Sequence, residues 1–306
     1  MSDLARHVQD YLRLRRALGY KLAREGLVLP RFVEYLEAAG ATTVTTDLAI
    51  AWAQLPQGVG SKLWCQRLGS VRGFARYLAT FDPTAQVPPA GVFASNGSRP
   101  APYQWSQADI CRLLEAAHEI RPRFRAATYE TLFGLLAVSG LRPGEAYHLN
   151  REDVDLGAEV ITIRQGKFGR TRLVPLHPST AAALRSYASC RDGLNPPAQS
   201  GTFFVSDSGA ALSQSSVHRI FTQLTTGLGL RTDDVHPRMH DLRHSFAVRT
   251  LIDWHRGGQD VEARIPALAT YLGHVEPAST YWYLSATPEL MQLAAHRLGG
   301  RFGGQS

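Results

Sequence analysis

Apolar residues recur at helical spacing through roughly the first eighty positions of the chain. Leu4, Val8, Tyr11, Leu12 and Leu14 form one stripe, and Leu27, Phe32, Val33, Tyr35 and Leu36 form another. Thr46 and Asp47 can cap a further helix that runs through Ile50 and Trp52. A longer helix, from about Ser61 to Leu78, carries Leu63, Trp64, Leu68, Val71, Phe74 and Tyr77. Arg67, Arg72 and Arg76 line another part of its surface, either as a solvated face or as contacts to a nucleic-acid backbone.

The period is lost over residues 82 to 103, DPTAQVPPAGVFASNGSRPAPY, a stretch rich in Pro, Gly, Ser and Ala that reads as a linker. From Ser106 the helical pattern resumes. SQAD opens a helix through Leu113 and Leu114, and an apolar helix over Ala126 to Val138 stops at Gly140. Short strands follow at Val160 to Ile163 and Arg172 to Leu176, joined by the glycine-containing loop QGKFGRT. Thr202 to Val205 is expected to join them as a third strand. Helices return at about 178–190, 213–228, 240–256, 260–272, 278–284 and 287–298. The pattern predicts a mainly α fold with a small β-sheet (α+β). A helical domain over 1–82 and a linker over 83–103 precede a mixed α/β domain over 104–306.

Composition narrows the partner. The chain has 306 residues, room for two domains, and a net charge of +7, which favours a polyanion such as nucleic acid. No apolar run approaches the ~20 residues of a membrane span. The start, MSDLARHVQDYLRLRRALGY, lacks the apolar segment of a signal peptide. Cys65, Cys111 and Cys190 are widely spaced and odd in number, which points to a reducing cytosol and no disulfide framework. Lys21, Lys62 and Lys167 are the only lysines, so Lys167 in a tight loop stands out against the arginines.

Six residues of the second half, Arg142, Lys167, His240, Arg243, His274 and Tyr283, are the parts needed to cut a phosphodiester without a metal. Arginines clamp a phosphate, a lysine protonates a leaving oxygen and a tyrosine attacks. Each residue alone also has an ordinary reading. Arg142, in SGLRPGEA, sits between a glycine stop and Pro143 at a helix start, with Glu145 near enough to orient it; taken alone it reads more readily as a surface arginine. Lys167 is at a hairpin tip, where most lysines are simply solvated. His240 and Arg243 in HDLRHSFA share a helix face. His236, His240 and His244 fall at the spacing of a zinc site, although Pro237 and Arg243 oppose that reading. His274 follows Gly273 at a helix end. Tyr281 and Tyr283 are separated by about 200° of helical rotation, so only one of them can face a given site.

Taken together the blocks resemble the tyrosine recombinase (integrase) family. SGLRPGEA resembles its first arginine box, GKFGRTRLVPL its lysine hairpin and strand, HDLRHSFA its His-x-x-Arg box, and LGHVEPASTYWYL its second histidine and nucleophile. These blocks span about 140 to 285. The helical first part resembles, more weakly, the family's SAM-like core-binding domain, and the rest its catalytic domain. VEPAST departs from the family's commoner Ser/Thr-rich spacer, and Pro277 bears on the approach to Tyr283.

The resemblance implies a site-specific recombinase or integrase. Tyr283 would form a 3′-phosphotyrosine, Lys167 would protonate the 5′-oxygen, and Arg142, Arg243 and His274 would neutralise the phosphoryl oxygens. His240 would help manage the tyrosine proton, with Glu145 in support. No cofactor, metal or ATP is implied. Arg67, Arg72, Arg76 and Arg170 are candidate DNA contacts. The implied partners are double-stranded DNA with inverted-repeat-like core sites and further copies of the chain as a tetramer on DNA. A second recombinase or an accessory protein is a further partner the resemblance allows. The two domains would grip DNA from opposite sides, and helix 287–298 would dock in a neighbouring copy. The expected location is the cytoplasm, with the nucleoid. A type IB topoisomerase, a non-catalytic DNA-binding protein and a metal-dependent hydrolase remain as alternatives.

Overall fold

The computed structural model describes residues 2–94, 101–164, 171–194, 197–274, Tyr283, Leu290 and Gln292. The chain divides into two compact units, Met1–Pro100 and Ala101–Ser306.

The first unit is all helical: α1 (Asp3–Ala17), α2 (Glu25–Ala38), α3 (Thr46–Gln54) and α4 (Ser61–Leu78). Ser2 caps α1 by accepting from the Ala5 amide, and Thr45, one residue earlier than expected, caps α3 by accepting from Leu48. The stripes meet in one core of Leu4, Val8, Leu12, Phe32, Leu36, Trp52, Leu68, Phe74 and Leu78. Leu14 and Leu27, read as part of those stripes, are 49% and 69% exposed. Each large core side chain contributes about 1.5–3 kcal/mol by leaving water.

The proline-rich stretch after α4 begins as part of this unit. The Gln86 amide donates to the Val44 carbonyl (2.8 Å), and the Phe93 ring packs against Trp64. Arg72 donates to the carbonyls of Pro88 (2.8 Å) and Pro89 (2.7 Å). A segment short of amide donors is thus held through its carbonyls.

The second unit is built round α6 (Arg123–Ser139), which is apolar on several sides. Around the same core lie α5 (Gln107–His118), α8 (Pro178–Asp192), α9 (Gln214–Gly227) and α10 (Met239–Arg256), followed by α11 (Val261–Leu272). A short α7 (Pro143–Tyr147) leaves α6 through Gly140, whose φ of 60° suits glycine. Ser106, Ser213 and Asp260 cap α5, α9 and α11.

The sheet is a three-stranded antiparallel meander of β1 (Val154–Asp155), β2 (Val160–Ile163) and β3 (Arg172–Pro175). Its third strand is β1 and not Thr202–Val205, which makes only two isolated bridges, Asn150 with Thr202 and Val205 with Ala211. The reason is local. Phe203, Phe204 and Val205 are all buried, so they do not alternate. Their backbone groups are satisfied elsewhere: Val205 donates to the Tyr187 hydroxyl (3.0 Å), and Arg191 donates to the Phe203 carbonyl (3.1 Å).

In β3 the inward face is Arg172 and Val174, while Leu173 is 63% exposed. The β2–β3 register pairs Ile163 with Arg172 and Ile161 with Val174. An arginine therefore points inward from the sheet. The expected helices at 278–284 and 287–298 lie largely outside the described residues. Of that region, Leu290 is buried in a cluster with residues of α10 and α11.

Candidate active site

The end of α11 organises the site. The last carbonyls of a helix have no partner within it and form its negative pole. Here three arginines from three different elements satisfy three consecutive carbonyls. Arg172 of β3 donates through Nε to Tyr271 (2.9 Å). Arg243 of α10 donates through Nη2 to Leu272 (2.7 Å). Arg142, which precedes α7, donates through Nη2 to Gly273 (2.7 Å). Gly273 then turns the chain with φ 70°, and His274 follows.

Glu145 ties two of these arginines together. Its carboxylate accepts from Arg142 Nη1 (2.7 Å) and the Arg142 amide (2.9 Å), and from Arg172 Nη1 (3.0 Å) and Nη2 (2.7 Å). Glu145 stands at the third position of α7, so its bond to the Arg142 amide also caps that helix. Burial alone would raise this carboxyl, but the hydrogen bonds and charge of Arg172 and Arg142 outweigh it and hold it at about 2.

Arg243 is buried, 1% exposed, and its other arm donates to the Gly140 carbonyl (2.7 Å). It thereby joins the ends of α6 and α11 from the second turn of α10. Burial first, and then the nearby Arg142 charge, lower it to about 10, so it stays charged at neutral pH; proximity to Tyr283 opposes that shift. His274 is driven down to about 4 by burial first and then by Arg243, Arg142, His240 and Arg172. At neutral pH it is an uncharged imidazole that can donate one N–H.

Tyr283 is 5% exposed, between two histidine rings. His274 stacks on it at 5.9 Å between centroids and 18° between planes, and His244 packs at 4.9 Å and 51°. Arg142, Glu145, Arg243, His274 and Tyr283 therefore come together, with His240 close enough to influence His274 through its charge. His240 itself is exposed, at the start of α10. Lys167, Arg170 and Tyr281 lie outside the described residues.

Two residues of the site go unread in the sequence. Arg172 looks like an ordinary strand residue; the available signal is that Glu145, between cations, calls for a second partner. His244 enters the sequence reading only through the zinc alternative. His236 and His240 are exposed and His244 is buried, and no group of three metal-ligand side chains gathers among the described residues. Asp241, 1% exposed, is engaged by Arg238 (2.8 Å) at the start of α10.

In the helical unit, Arg67 donates to the Trp52 carbonyl (2.9 Å) and lies 3.7 Å from the Trp52 ring centroid. Arg72 holds the prolines described above. Arg76 is exposed. No helix of the described residues is long and apolar enough to cross a membrane.

Three arginines on one helix end, two of them joined by a carboxylate, stand with a neutral histidine and a buried tyrosine, a set of side chains with the chemistry to hold a phosphate and to supply a nucleophile. Comparisons with known proteins agree with that chemistry. The phage integrase family model matches residues 105–289. The chain is 47% identical to the putative integrase/recombinase y4rB of Sinorhizobium fredii, over 99% of both chains. It is 33% identical to the tyrosine recombinase XerC of a Methylobacterium species, over 81% of this chain and 76% of the relative. The solved structure of the Tn1549 transposon integrase in complex with transposon right end DNA has the same fold. Its TM-score is 0.66 at 19% identity, covering 96% of this chain and 99% of that one. The chain thus belongs to the phage integrase family, the tyrosine recombinases.

Proposed function

We propose that this protein is a site-specific recombinase that breaks and rejoins DNA strands, with Tyr283 as nucleophile. The observation that carries the reading is the convergence of Arg142, Arg243 and His274 beside Tyr283. The Tyr283 oxygen attacks the scissile phosphorus as the bond to the 5′-oxygen breaks. The phenol loses its proton, with His240 assisting, and the 5′-oxygen takes one from Lys167. A 3′-phosphotyrosine and a free 5′-hydroxyl result; the reverse reaction, with a new 5′-hydroxyl, rejoins the strand. Bond energy is conserved, so ATP has no role. The arginines supply the charge that a metal would otherwise bring to the phosphoryl oxygens. At 5% exposure Tyr283 is docked, and attack requires it to leave its seat between the two histidines.

The chain acts on double-stranded DNA with inverted-repeat-like core sites, bound as a tetramer and, in some settings, alongside a second recombinase. Its helical unit shares in that binding, its C-terminal helix docks in a neighbouring copy, and its place is the cytoplasm with the nucleoid. The test is covalent capture. Wild type and Tyr283→Phe are expressed in the host, the lysates denatured, the protein recovered and its attached DNA sequenced. DNA joined to wild type alone, ending at a few sites, is expected. DNA on both proteins, or on neither, refutes the reading.

A further inference from the structure

We propose that Arg172 is a positioning residue of the reacting cluster, locking the Arg142 turn and the Gly273–His274 turn to each other through Glu145 and the Tyr271 carbonyl. The inference rests on the proposed function only for what the locked groups do. The locking itself stands on geometry.

Arg172 uses all of its nitrogens. Nη1 and Nη2 fork onto the two Glu145 oxygens at 3.0 and 2.7 Å, and Nε holds Tyr271 at 2.9 Å. Its side chain is 11% exposed and that of Glu145 10% exposed, so the fork works where solvent screens it weakly. Glu145 is the residue that grips the Arg142 amide and guanidinium. Removing Arg172 leaves Glu145 with one cationic partner in place of two. Arg142 then shifts with its carboxylate and with the end of α11, to which its other arm is bonded.

The second contact is with Gly273. A Cβ there would lie 2.8 Å from Arg172 Nη1, 3.0 Å from Cζ and 3.2 Å from Nε. The guanidinium thus lies flat on the backbone immediately before His274. It fixes where that backbone runs and adds a positive charge that helps, after burial and the charges of Arg243, Arg142 and His240, to keep the His274 imidazole neutral. Lysine cannot replace it. A single ammonium cannot fork onto a carboxylate and also reach a carbonyl on the other side.

The test uses the full-length chain as wild type, Arg172→Gln and Arg172→Lys. First, the His274 ring is followed by NMR on histidine-labelled protein without DNA, its signal assigned with His274→Gln. Wild type is expected to show no His274 titration above about pH 5, consistent with its folded value of about 4. Arg172→Gln is expected to bring that titration upward, because a neighbouring cation is gone and the turn is loosened. Arg172→Lys, which keeps the charge, is expected to fall between. Second, covalently captured DNA per molecule is expected to drop on the order of 100-fold in Arg172→Gln, the scale of a misplaced catalytic group, with partial recovery in Arg172→Lys.

If a folded Arg172→Gln keeps both the wild-type titration and the wild-type capture, the proposal is overturned. If capture and melting temperature fall together while His274 titrates as before, Arg172 is a packing residue and the proposal also fails. Should Arg172→Gln not fold, Arg172→Lys decides: unchanged titration and capture there overturn it. Absence of captured DNA from wild type sinks the proposed function, and the titration still decides the positioning role.

Discussion

Glu145→Gln removes one negative charge from between two guanidinium groups and keeps the side chain's shape. The wild-type carboxyl sits at about 2 in the folded protein against an ordinary 4.5, which corresponds to ~3 kcal/mol of stability at neutral pH. The side chain is 10% exposed, so solvent screening takes little from that figure. Leaving paired cations without their carboxylate independently suggests ~3–5 kcal/mol. For a unit of about 200 residues, ~3 kcal/mol lowers the melting temperature by ~6–12 °C. The pH dependence gives the sharper check. The folded value lies below the unfolded one, so the contribution is complete above about pH 4.5 and is lost as pH falls through about 2. The gap between wild type and variant should therefore shrink to ~1.4 kcal/mol near pH 3. Thermal or denaturant unfolding from pH 7 to 3 measures it. A variant within about 2 °C of wild type at pH 7, or a gap that persists undiminished on acidification, refutes the reasoning.

Gly273→Ala should destabilise the second unit by ~1–3 kcal/mol through the left-handed backbone, and should lower covalent capture by displacing Arg172; a variant that melts and captures like wild type counts against the close approach. Lys167→Ala should slow DNA cleavage, and a substrate with sulfur at the 5′-bridging position, whose leaving group needs no proton, should restore it; failure to rescue removes Lys167 as the acid. Arg67→Ala should lower the urea midpoint of unfolding, since it loses a carbonyl bond and a ring stack worth ~1–2 kcal/mol together. Arg76→Ala should leave stability within ~0.5 kcal/mol and reduce the salt slope of DNA binding by about one; the opposite pattern for these two arginines refutes the division of labour.

Helix-forming stretches were the most legible part of the chain, because their boundaries are written in caps and glycines. Ser61–Leu78 and the stop at Gly140 are of this kind. The sequence points to the wrong third strand because Phe203, Phe204 and Val205 are apolar, β-prone and all buried, while β1 is only two residues long. Within the site, Arg142, Arg243 and His274 were readable because each sits in a short block with its own local grammar. Arg172 was not. Its sequence context, RLVPL, fits either facing of the strand, and only the register with β2 turns the arginine inward. The ring contacts between His244 and Tyr283 join residues 39 positions apart, which no local pattern encodes. Arg67 and Arg72 illustrate the converse: a row of arginines along one helix looks uniform, yet two of them are occupied within their own unit.

The three carbonyls at the end of α11 have a consequence for when this protein becomes able to act. Their arginines lie 131, 99 and 29 residues away along the chain. Contacts of such separation close late, after local helices have formed. A nascent chain that has made Arg142 and Arg172 still lacks the carbonyls they hold until α11 has emerged. Assembly of the reactive cluster is thus contingent on completion of the fold, so the order in which the chain is made sets the earliest moment at which the cluster can form.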